Sequence, residues 1–122
     1  MHKSRFCALV IDCENADLEA ASRFWSGALG KKVKETEGNY VTLDVRDTEP
    51  MILLQRVSHP SRVHLDIESD DVEAEVQRLE KLGAKRVEKI KTWWVLEAPT
   101  GQRFCVVQPQ RGPLGDDANR WD

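Results

Sequence analysis

The stretch LVIDCENADLEA at residues 9–20 has a counterpart in VHLDIESDDVEA at residues 63–74, and reading the two together decides the fold. Asp12 and Asp17 align with Asp66 and Asp71 at a constant offset of 54, and Leu18-Glu19-Ala20 aligns with Val72-Glu73-Ala74. In each copy a period of two gives way to a period near 3.6, the signature of a strand running into a helix. The first strand is expected over about 5–13. It is followed by a helix over 17–29, whose apolar stripe is Leu18, Ala21, Trp25, Ala28 and Leu29 and which Gly30 ends. In the second copy a strand from Arg62 to Glu68 leads to a helix over 70–82 that Gly83 ends, with Asp70 to Glu73 resembling a capping box.

Outward from these pairs, three short strands are expected after each helix. They are 31–36, 40–46 and 51–57 in the first half, and 85–90, 92–97 and 103–108 in the second. The order strand, helix, strand, strand, strand thus occurs twice, as modules over about 5–57 and 62–108 of one domain spanning 1–110. A period this long that occurs only twice reads as a duplicated supersecondary unit rather than a solenoid. The fold class is α+β. A ferredoxin-like domain, the alternative, has two strands between its helices where this sequence needs four. Residues 111–122 show no periodicity and read as a mobile tail, with Trp121 as an anchor to a partner surface.

Composition narrows the function. The 122 residues are 40% hydrophobic and 32% charged, with 18 Lys and Arg against 21 Asp and Glu, a formal charge of -3. That balance suits a globular protein. It argues against nucleic-acid or anionic-membrane partners, which need a basic face. Cys7, Cys13 and Cys105 are too few and too scattered for a disulfide framework or a C-x-x-C metal motif. A reducing cytoplasm is the compartment that this cysteine usage leads one to expect, and no apolar run comes near the roughly 20 residues that span a bilayer.

Candidate site residues emerge from strand parity. Odd positions Leu9, Ile11, Val63, Leu65 and Ile67 are expected to bury both strands against the helices, so Ala8, Val10, Asp12, His64 and Asp66 face the other side. An apolar wall opposite a few polar groups is what a small-ligand pocket looks like. His64 is the candidate acid or base, with Asp66 two residues away as an orienting carboxylate. Trp93 and Trp94 must point to opposite faces, so one packs in the core and the other walls a cavity or an interface. Trp25, Cys7 and Cys13 read as core, and Cys105 as an inert small hydrophobe. The helix-two charges Glu73, Glu75, Arg78, Glu80 and Lys81 read as a solvated face.

The duplicated unit, with Phe24-Trp25, Ala28-Leu29-Gly30, His64-Leu65-Asp66 and Ala98-Pro99-Thr100-Gly101, resembles the vicinal oxygen chelate superfamily over residues 5–108, in particular its glyoxalase-like and bleomycin-resistance-like branch. The resemblance implies curved mixed sheets around a ligand cavity and a homodimer. In that superfamily's enzymes the cavity holds a divalent metal bound by His, Glu or Gln from four strands. Here the four positions fall on Val10 (or Ala8), Gln55, His64 and Cys105. Of these, His64 and Gln55 are the residues that would hold a metal. Val10 has no donor atom, so no cofactor is favoured, and a rearranged site would draw on Asp12 or Asp66. The expected function is binding of a small aromatic or amphipathic molecule by Ala8, Val10, Asp12, Gln55, His64, Asp66, Trp93, Trp94 and Cys105. The alternatives are a divalent-metal-dependent lyase, isomerase or dioxygenase of the same superfamily, and a structural or protein-interaction module.

Overall fold

Each helix begins where an aspartate accepts a hydrogen bond from a backbone N–H that the helix itself leaves unpaired. Asp17 Oδ1 accepts from Glu19 N at 3.0 Å, and Asp71 Oδ1 accepts from Ala74 N at 3.0 Å. These caps start α1 (Leu18–Leu29) and α2 (Val72–Lys81), and Gly30 closes α1 in the left-handed conformation at φ 67°. The computed structural model describes residues 1–122. Around the helices lie β1 (His2–Glu14), β2 (Val33–Glu37), β3 (Tyr40–Leu43), β4 (Met51–Val57), β5 (Arg62–Ser69), β6 (Lys85–Ile90), β7 (Trp93–Glu97), β8 (Arg103–Val107) and β9 (Asn119–Trp121). The fold is α+β and repeats strand, helix, three strands, as the sequence implied.

Two compact units divide the chain within β1 and again within β5. The unit Ala8–His64 has strand order β2-β3-β4-β1, with β1 parallel to β4 and the other neighbours antiparallel. Its register sets Ile11 beside Leu54 and Leu54 beside Val41, and α1 packs on this row. The core is Leu18, Val41, Leu43 and Leu54, with Ile11, Ala21, Trp25 and Ile52 against it. Trp25 therefore packs as a core residue.

The other unit, Met1–Cys7 with Leu65–Asp122, has the order β5-β8-β7-β6, with β5 and β8 parallel. Here Val76 and Leu79 of α2 pack with Leu96 and Val106, joined by Ile67, Trp94 and Phe104. Trp94 is thus the tryptophan on the helix side, with the Arg86 guanidinium 4.9 Å from its ring centre. Trp93 takes the opposite face.

Three expectations need correction. Odd positions do not all bury: Leu9, Val63 and Leu65 are 36%, 58% and 45% exposed. A 12-residue helix is about 18 Å long, and in the Ala8–His64 unit α1 reaches Ile11 and Ile52 but leaves Leu9 and Val63 outside the core it covers. Glu75 is not on a solvated face but fully buried. His2 Nε2 lies 2.7 Å from its Oε1, and Arg78 donates to both of its oxygens at 2.8 Å.

The C-terminal residues are not a tail without contacts. β9 pairs antiparallel with His2–Ser4, Trp121 Nε1 donates to Ser4 Oγ at 2.9 Å, and Arg78 sits 3.8 Å from the Trp121 ring centre. Trp121 anchors this segment to its own chain. The pairing uses His2–Ser4, which lie ahead of the expected strand start at residue 5.

Candidate functional site

In the Ala8–His64 unit the register fixes what lies on the sheet face away from α1. Asp12 pairs with Gln55 and Gln55 with Tyr40, while the next row sets Val10 beside Leu53 and Leu53 beside Thr42. Ala8 pairs with Met51 one row further. These residues alternate with the α1-facing Ile11, Leu54 and Val41, so they share the other face. One end of that face is polar, with Asp12, Gln55 and Tyr40. The rest is apolar apart from Thr42.

The polar end is tightly organised. His64 Nδ1 lies 2.7 Å from Asp12 Oδ2; a carboxylate oxygen accepts, so Nδ1 carries the proton and Nε2 is turned away from Asp12. Gln55 Nε2 donates to Tyr40 Oη at 3.0 Å. Two more basic groups approach the same carboxylate oxygen, Arg62 Nε at 3.8 Å and His59 Nε2 at 3.9 Å. The Asp12 side chain is 1% exposed, and its second oxygen, Oδ1, has no hydrogen-bond partner.

Of the residues expected at a site, Ala8, Val10, Asp12, Gln55 and His64 therefore come together in one unit, with Ala8, Val10 and Asp12 all buried. The carboxylate bonded to His64 Nδ1 is that of Asp12 rather than the expected Asp66. In the other unit Asp66 pairs with Cys105 and Cys105 with Val95, on the face away from α2 that Trp93 shares two residues from Val95. The period of β5 gives His64 the same side as Asp66. Trp94 does not join them.

Tyr40 and His59 were not anticipated. Tyr40 was legible in principle, since its alternation with Val41 puts it on the face opposite the core. Arg62 was legible too, since the period of two in Arg62–Glu68 gives it the side of His64, whereas His59, at the β4–β5 turn, had no periodic signal. The thiols are quiet: burial first, then the charges of Glu68 and Asp66, pushes Cys7 up to about 12, and burial followed by Asp12 raises Cys13. A separate open cleft of about 700 Å³ lies between α1 and β2–β3, lined by Leu18, Ser22, Ser26, Val33, Thr36 and Val41 among others. None of the expected site residues lines it. No helix is long and apolar enough to cross a membrane.

Comparison with known proteins fits this geometry. The sequence profile of the glyoxalase-like domain matches residues 8–107. No curated protein matches the chain. Among solved structures, a hypothetical protein from Bacillus halodurans is 14% identical with a TM-score of 0.70, covering 92% of this chain and 99% of its own. Methylmalonyl-CoA epimerase from Mycobacterium tuberculosis is 17% identical with a TM-score of 0.66, covering 86% and 87%. The Mn(II)-bound glyoxalase from Novosphingobium aromaticivorans is 16% identical with a TM-score of 0.62, covering 95% of this chain but 44% of that one. At these identities the likeness concerns the fold.

Proposed function

The chain belongs to the glyoxalase-like domain family of the vicinal oxygen chelate superfamily, and from that premise we propose that it binds a small amphipathic molecule without a catalytic metal. The ligand lies on the face of the Ala8–His64 unit away from α1. The observation that carries this reading is the graded face itself, in which the polar row Asp12, Gln55 and Tyr40 adjoins the apolar Val10, Leu53, Ala8 and Met51. Small-molecule sites combine an apolar wall with a few placed polar groups in this way.

The family's metal does not fit the residues at its four positions. His64 oriented by a carboxylate would suit a metal-ligating imidazole. The rest of the set fails: Val10 offers no donor, the neutral Gln55 amide oxygen is a weak one, and Cys105 supplies a soft thiol.

A second reading has the 2.7 Å His64–Asp12 pair in its favour. A buried carboxylate that fixes an imidazole tautomer is the arrangement of a general base, so a metal-free proton transfer would run through His64.

Metal content separates these readings from the metal-dependent enzyme. Protein purified without chelators is expected to carry far less than one equivalent of Zn, Ni, Mn or Fe by elemental analysis. Stoichiometric metal that disappears in His64→Ala would overturn the metal-free reading.

A further inference from the structure

At the polar end of the Ala8–His64 unit, the groups closed to solvent and the groups open to it differ in kind. The Asp12 side chain is 1% exposed and bonds the His64 ring, whereas the Arg62 and His59 side chains near it are 46% and 36% exposed. The carboxylate is inside and the basic groups face out. Arg62 Nε stands 3.8 Å from Asp12 Oδ2, beyond hydrogen-bond length, so the guanidinium is held near a counter-charge without spending its donors on it. His59 donates Nδ1–H to the Pro60 carbonyl at 2.8 Å, which leaves Nε2, 3.9 Å from the same Asp12 oxygen, as the ring nitrogen that can take up a proton. The Gln55 amide gives one N–H to Tyr40 and carries a second.

Resting on the binding role proposed above, we infer that the ligand is an amphipathic monocarboxylate whose head pairs with the Arg62 guanidinium, with His59 as the second basic group at that end. The planar fork of an arginine matches the two oxygens of a carboxylate, and such charge-assisted bonds are the stronger kind. The period of β5 puts Arg62 on the side of His64, and His64 bonds Asp12, so the head lies at the polar end of the face. The row of Val10 and Leu53, next to that of Asp12 and Gln55, receives the apolar body. Asp12 limits the charge of the head. One arginine beside a buried carboxylate has little attraction to spare, so a monoanion suits it better than a phosphate dianion.

The test loads the full chain with N-phenyl-1-naphthylamine, a neutral fluorescent probe of the apolar rows, and displaces it with naphthoate, naphthalenemethanol or naphthyl phosphate. Naphthoate is expected to bind about 10-fold or more tightly than the alcohol, the scale of hydrogen bonds to a charged group, and more tightly than the phosphate. Arg62→Gln should bring naphthoate down to the level of the alcohol while the neutral probe stays bound. Arg62→Lys, which keeps the charge and loses the fork, should fall between. Lys34→Gln, an equal change of charge on the exposed β2, should leave the preference intact. Naphthoate no tighter than the alcohol, phosphate tighter than naphthoate, or a preference that survives Arg62→Gln or vanishes in Lys34→Gln, overturns the carboxylate head and leaves the binding role standing. Failure of the probe and all three compounds to bind overturns the binding role as well.

Discussion

A chain ending at Gln110 is expected to lose about 4 kcal/mol of folding stability, on the scale of burying two or three apolar side chains. The removed residues include Leu114 and Ala118, both buried, and all of β9. They also include Trp121, whose indole N–H reaches Ser4 and whose ring faces the Arg78 guanidinium. Asp117 pairs with Arg5, and the Lys3 ammonium donates to the Leu114 carbonyl at 3.4 Å. With β9 gone, the backbone of His2–Ser4 loses its antiparallel partner. Gln110 itself is retained because its N–H donates to the buried Glu68 at 2.8 Å. Guanidinium denaturation of the truncated and full-length proteins measures the difference. A loss below about 1 kcal/mol, the usual range for a surface change, would show that the docked segment contributes little.

The second large effect is expected from Glu75→Ala, at about 3–5 kcal/mol, the range for removing one partner of a buried ion pair. Glu75 is fully buried, and burial alone would raise its carboxyl pKa. Bonds from Arg78, His2 and Ser4 outweigh that burial and hold the group below the ordinary carboxylate range. Removing the carboxylate leaves His2 and Arg78 with their partner gone. Because the folded value is depressed, the contribution is present above the unfolded value of about 4.3 and is lost as pH falls through the folded one. Wild type should therefore weaken as pH drops below that point, and Glu75→Gln, which keeps the shape without the charge, should flatten part of the slope. An unchanged slope in Glu75→Gln would remove Glu75 from the acid response.

Much of the fold was readable because the two copies check each other. Asp12 and Asp66, Gly30 and Gly83, and two changes of hydrophobic period located both helices and eight of the nine strands. β9 escaped since three residues of Asn119–Trp121 carry no period, and their pairing is decided by a strand more than a hundred residues away. Glu75 escaped for a related reason. Its helical position resembles its exposed neighbours, and only the docking of His2 and Ser4 makes it interior.

The site was legible as a set of same-parity residues on β1, β4 and β5. Its internal bonding was not, because parity cannot say which aspartate reaches His64. The exposed Leu9, Val63 and Leu65 mark the limit of the same reasoning: parity names a face, and the length of the covering helix decides how much of that face is buried.

The ligand-binding face is tested most directly by Val10→Trp, measured by calorimetric titration with N-phenyl-1-naphthylamine alongside Leu54→Trp. Val10 lies on the proposed ligand face and Leu54 in the α1 core, in neighbouring strands of one unit. Wild type is expected to bind one equivalent of the probe. Val10→Trp should abolish binding at a stability cost of about 1–3 kcal/mol, while Leu54→Trp should damage folding outright by forcing an indole into packed core. Undiminished probe binding by Val10→Trp, or destabilisation by Val10→Trp as large as that by Leu54→Trp, would contradict a ligand seat on this face.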